Sequence, residues 1–154
     1  MKIKPTISSL VICLATLSFG SFSGIGSTFA QGTKEAQCDR VIAVANEAVQ
    51  AAESANAEEG EDQLQALLTA AASIEEAANR METLSLNDGT LNNYRQGFIT
   101  MYRQTSLMTR RFVDAFTTEN QEEIVVALTN LETATEDEDR LVTELNGYCG
   151  RRPS

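Results

Sequence analysis

Between Pro5 and Pro153 the chain has no proline, and through most of that stretch apolar residues return every three or four positions. Together these facts leave little but helices. Proline would remove an amide donor and clash with the preceding turn, so its absence permits long uninterrupted helices. Three-to-four spacing puts apolar side chains on one helix stripe, whereas a half-buried strand needs strict alternation, which no comparable window shows. Four segments carry the pattern. The first, about 34–59, has the stripe Cys38, Val41, Ala45, Ala48, Ala52, Ala55 and stops at Gly60. The second, about 62–84, has Leu64, Leu67, Ala71, Ile74, Ala78 and Met81, and "SLNDGT" breaks it. The third, about 90–117, has Leu91, Tyr94, Phe98, Met101, Thr105, Met108, Phe112 and Ala115. The fourth follows Thr118, which with Gln121 reads as a capping box. Its stripe is Ile124, Leu128, Leu131, Thr135, Glu138, Val142, Leu145, and it stops at Gly147. Short loops make neighbours antiparallel, which predicts an all-α, up-down-up-down four-helix bundle over residues 31–150 with a tail at 151–154.

The first thirty residues follow a different logic. Lys2 and Lys4 precede the charge-free apolar run 7–19, and a Gly/Ser-rich stretch ends at Thr28-Phe29-Ala30. That is the order of a secretory signal, predicted to be cleaved after Ala30. The run is thirteen residues, against the roughly 20 a spanning helix needs, so a retained anchor is the weaker reading. Leu10-Val11-Ile12-Cys13 has the outline of a lipid-attachment site, but Ile12 stands where a small residue is required. The expected mature chain has 124 residues, one domain, and its net charge moves from −10 to −12 when Lys2 and Lys4 leave. So acidic a chain repels nucleic acid and anionic lipid.

Removing the signal removes Cys13 and leaves Cys38 and Cys149, an even number in an exported chain. In the predicted topology the first helix begins where the fourth ends. Cys38 is one turn into the first helix, and Cys149 follows the stripe 142, 145, 149. A Cys38–Cys149 disulfide is therefore expected, and the wide spacing argues against a redox-active pair.

The first two helices are alanine-rich and the third is bulky, which predicts that large side chains fill the space alanine leaves. The competing expectation is a ligand pocket lined by Phe98, Met101, Tyr102, Met108 and Phe112. Charge is uneven: the third segment is net +3 over 90–117, and the fourth net −8 over 119–146. Pairing between these two is expected to guide register. Glu138 falls on the fourth stripe and reads as its edge; a buried carboxylate would instead need Arg95 or Arg103. The doublets Arg110-Arg111 and Arg151-Arg152 are candidates for docking an acidic partner.

The chain has no histidine, which removes Ser-His-Asp and Cys-His catalysis, His-Zn sites, His-ligated haem and the Glu-x-x-His pairs of di-iron bundles. No phosphate loop or dinucleotide fingerprint is present. The acidic clusters at 56–62 and 136–139 miss the EF-hand pattern and read as solvated faces. No enzyme, metal or cofactor is expected.

The stretches "YRQGFITMYRQTSLMTRRFVDAF" and "NLETATEDEDRLVTELNGYCG", with the terminal Leu-Asn-x-Tyr-Cys, resemble small exported helical proteins of photosynthetic bacteria whose function is unassigned. The resemblance covers about half the mature chain and implies a fold rather than an activity. In size, export and architecture the chain is also similar to the Q-type extrinsic subunits of the oxygen-evolving photosystem, with no functional residue in common. The sequence points to an exported, periplasmic or secreted, non-enzymatic accessory bundle. Its expected partner is a protein, not nucleic acid, and it is not inserted in the membrane once the signal is cleaved. The alternatives are a carrier or sensor of a small apolar ligand between the alanine-rich and aromatic helices, and a chaperone-like stress factor.

Overall fold

A computed structural model of the protein describes residues 32–56 and 61–150. The predicted signal segment 1–30, the loop 57–60 and the tail with Arg151 and Arg152 lie outside the described residues. Four helices follow in order: α1 Lys34–Asn56, α2 Glu61–Thr83, α3 Gly89–Thr117 and α4 Gln121–Tyr148. Among the described residues there is no strand. The protein is an all-α four-helix bundle.

Ion pairs and hydrogen bonds give the register. Arg80 of α2 pairs with Glu47 of α1. Arg103 and Arg110 of α3 pair with Glu82 and Glu75 of α2, at 2.7 and 2.8 Å. Arg111 of α3 approaches Glu123 of α4 at 3.8 Å, and Gln104 donates to Asn130 at 3.4 Å. In the α2–α3 and α3–α4 sets the numbers rise on one helix as they fall on the next, so these neighbours are antiparallel. These pairs are exposed, and each contributes about 0–1 kcal/mol. The α3 arginines do not chiefly serve α4, as their charges suggested. Arg103 and Arg110 face α2, and α4 keeps most of its negative charge.

Local chemistry sets the helix ends. Asp88 caps α3, its Oδ1 accepting from the Leu91 amide at 2.9 Å. The cap of α4 is Asn120, which accepts from the Glu123 amide at 3.2 Å. The expected Thr118–Gln121 box does not form. The Thr118 hydroxyl turns back to donate to Asp114 O at 2.9 Å, closing α3, and Glu119 takes φ +56° to reverse the chain. Two caps compete across three residues, and the side chain nearer the new helix takes the role.

One end of the bundle is heavily tied. Cys38 and Cys149 form a disulfide, with sulfurs 2.03 Å and Cα atoms 6.0 Å apart. Buried Gln37 accepts from the Asn87 and Asp88 amides at 2.6 and 3.1 Å, and its amide donates to Gly32 O at 3.1 Å. The Tyr148 hydroxyl donates to Asp88 Oδ2 at 2.7 Å, its ring lies 6.0 Å from that of Tyr94, and Lys34 Nζ sits 3.8 Å from its centroid. The bond with Asp88 is the main reason the Tyr148 phenol titrates above its ordinary range. The terminal Leu145-Asn146-Gly147-Tyr148-Cys149 stretch thus acts as a clasp. Gln37→Leu removes the acceptor for two backbone donors and is expected to cost about 2–4 kcal/mol, read as a lower urea midpoint at unchanged slope.

α1 packs on α2, α2 on α3 and α3 on α4, and α1 also touches α3. Among the described residues α1 and α4 have no close backbone approach along their lengths. Their covalent link is the disulfide at the clasped end. α3 and α4 come close at Gly97, where an added Cβ would stand 2.7 Å from Leu141 Cδ2. The core divides into a larger cluster at the clasped end, around Val41, Met81, Leu91 and Phe98, and a smaller one around Leu67, Phe112 and Ala127.

Candidate functional site

Where the two core clusters meet, the core is not filled. A cavity of about 50 Å³ is lined from all four helices: by Ala48, Ala52 and Ala55 of α1, Leu67, Ala70, Ala71 and Ile74 of α2, Met101, Tyr102, Thr105 and Thr109 of α3, and Leu131, Ala134, Thr135 and Glu138 of α4. That volume holds roughly three or four water-sized spheres. The expected close-packed core is therefore corrected here, and the reason is residue size. Phe98 packs in one cluster and Phe112 in the other. Between them α3 presents Thr105 and Thr109 to the cavity, too short to reach across to the alanine faces of α1 and α2.

Five residues of α3 were the pocket candidates. Met101 and Tyr102 line the cavity. Phe98, Met108 and Phe112 are buried but are not part of its wall. Of the docking candidates, Arg110 pairs with Glu75 and Arg111 with Glu123, both partly exposed.

Two polar groups on this wall stand out. Tyr102 is 2% exposed, and its hydroxyl has no hydrogen-bond partner. Burial, with the Glu138 charge second, pushes its phenol well above the ordinary range, so it stays protonated. Glu138 is half-buried on the opposite helix. Burial raises its carboxyl from 4.5 to about 7, and neighbouring Asp139 adds to the rise. No cation answers it. Arg103 is paired with Glu82, and Arg95 donates to Leu84 O at 2.6 Å. Glu138 thus lies at the half-buried edge of its stripe, as expected, and the alternative of a fully buried carboxylate paired with an arginine does not hold: the residue lines the cavity with no arginine paired to it. Two other buried polar atoms lack partners, Asn46 Oδ1 and Arg95 Nε, but neither residue lines the cavity.

The wall is apolar on α1 and α2 and polar on α3 and α4. A molecule entering it meets aliphatic surface on one side, a phenol and a carboxylate on the other. The sequence carried a signal for this, since Glu138 interrupts an apolar stripe and Tyr102 sits beside Met101 on the bulky helix. What it lacked was the gap that makes the two face one space. Among the described residues no group of three or more Cys, Asp or Glu side chains is placed to hold a metal ion. None of their helices is long and apolar enough to cross a membrane. No protein-family model, curated protein or solved structure matches the chain.

Proposed function

We propose that the protein is an exported, non-enzymatic bundle that carries or senses a small, largely apolar molecule held in the cavity between the alanine faces and α3–α4. The observation that carries this reading is the buried, unpartnered hydroxyl of Tyr102, a residue that lines the cavity opposite the apolar faces of α1 and α2. A buried polar group without a partner costs about 1–3 kcal/mol, and a ligand that pairs with it recovers that cost. Supporting export are the basic and apolar opening of the chain and the Cys38–Cys149 disulfide, a bond typical of oxidising compartments. The likeness of the C-terminal half to exported helical proteins of photosynthetic bacteria agrees with that placement.

The test is protein-observed NMR with n-butanol as the probe. Shift changes concentrated on the methyls of Ala48, Ala52, Ile74 and Ala134 are expected. Ala52→Leu, which fills the space, is expected to weaken the interaction at least about tenfold while leaving stability unchanged or higher by about 0.5–2 kcal/mol. Shifts scattered over the surface, and indifferent to Ala52→Leu, would remove the reading.

A second reading, an accessory bundle that docks on a protein, is favoured by Leu107, Val125 and Val126, which are 48%, 62% and 43% exposed. Migration of the native protein with a large complex in gently extracted envelope, lost on Val125→Ser with Val126→Ser, is its expected sign.

A further inference from the structure

We infer that the cavity's preferred occupant is a small primary amine, its ammonium between the Glu138 carboxylate and the Tyr102 phenol oxygen and its short alkyl body against Ala48, Ala52, Ile74 and Leu131. This rests on the ligand-binding reading above and names the chemical class.

The donors and acceptors of the cavity select its ligand. When ionised, Glu138 offers acceptors only, and no hydrogen bond or cation reaches it among the described residues. The Tyr102 hydroxyl, 2% exposed and unpartnered, can accept as well as donate. A neutral ligand with one acceptor, such as a ketone, satisfies Tyr102 and leaves the carboxylate alone. A carboxylate ligand would face Glu138 charge to charge. An ammonium carries three donors and a positive charge, so it serves both groups at once, and charge-assisted bonds are the strong ones.

The surrounding field points the same way. α4 carries eight carboxylates and a single arginine, Arg140, which is paired with Asp137 at 2.9 Å and Glu144 at 3.7 Å. Of the α3 arginines, Arg103 and Arg110 are turned to α2, at Glu82 and Glu75, and Arg111 reaches only Glu123 in the first turn of α4, far along the helix from Glu138. Of the side chains lining the cavity from all four helices, Tyr102 and Glu138 alone titrate, and Asp139 on the same helix adds its negative charge. The environment that holds a proton on Glu138 up to about pH 7 is one that lacks a cation. A ligand ammonium would supply it.

The experiment uses the disulfide-intact protein and three probes of one length, n-butylamine, n-butanol and butyrate, titrated by calorimetry at pH 8. Butylammonium is expected to bind about tenfold tighter than butanol, with butyrate weakest. Glu138→Gln should bring the amine down to the level of the alcohol and leave the alcohol within about twofold. In the unmodified protein amine affinity should fall as pH drops below about 7, where Glu138 takes up its proton. A carbon-13 titration of the Glu138 carboxyl should show its midpoint lowered by saturating butylamine and unmoved by butanol. Equal binding of amine and alcohol, insensitive to Glu138→Gln and to pH, would overturn the amine while leaving the apolar-ligand reading in place. No binding of any probe would overturn both.

Discussion

Breaking the Cys38–Cys149 bond is expected to lower the stability of the protein by about 4–5 kcal/mol. The two cysteines are separated by 111 positions, and closing so long a loop removes a large share of the freedom of the unfolded chain. For a domain of this size that is a fall in Tm of about 15–20 °C. The check is thermal unfolding of the Cys38→Ser, Cys149→Ser double variant against the oxidised parent. The position of the bond adds a second expectation. α1 packs on α2 but has no close backbone approach to α4, so the disulfide is its covalent tether to the end of that helix. Hydrogen exchange in the double variant should therefore quicken most in α1 and at the end of α4, and less in α2 and α3. A uniform loss of protection over all four helices would show that the bond acts through the unfolded chain alone.

The second large effect belongs to Glu138. Its carboxyl titrates near 7 in the folded protein against 4.5 ordinarily. A shift of that size corresponds to roughly 3 kcal/mol. The folded state therefore holds more protons than the unfolded state between these two values, so stability falls as pH rises through the window from about 4.5 to about 7. Above it the full cost of a charged, unanswered carboxylate is present; below it the cost is absent. Glu138→Gln, neutral at every pH, is expected to stabilise the protein by up to about 3 kcal/mol at pH 8 and to change little at pH 4. Urea unfolding of parent and variant at the two pH values reads the difference directly. The comparison cancels other titrating groups, among them Asp88, whose carboxyl is held below its ordinary value mainly by the Leu91 amide and the Tyr148 hydroxyl. An equal effect at both pH values would remove the burial argument. A more stable variant that also loses selectivity for an amine would be the usual exchange of stability for function.

Much of the fold was legible from the order of residues. Proline-free segments with three-to-four periodicity, separated by Gly60 and by "SLNDGT", placed four helices within a few residues of where they lie. Helical periodicity is a local property, set by 3.6 residues per turn, so it survives reading without any tertiary information. The pairing of Cys38 with Cys149 was legible too, because short loops decide which helix ends share one end of the bundle. What only the tertiary structure decided was distance across the bundle. Whether α3 spends its arginines on α2 or α4 depends on rotation about the helix axis, to which sequence spacing is blind. Whether alanine faces are filled or left open depends on how far apart α1 and α4 stand, and close packing was the wrong default where Thr105 and Thr109 face them. Glu138 shows the division most clearly. Its place on the apolar stripe was written in the sequence; that it faces a cavity and an unpartnered phenol, with no arginine in reach, is a fact of packing alone.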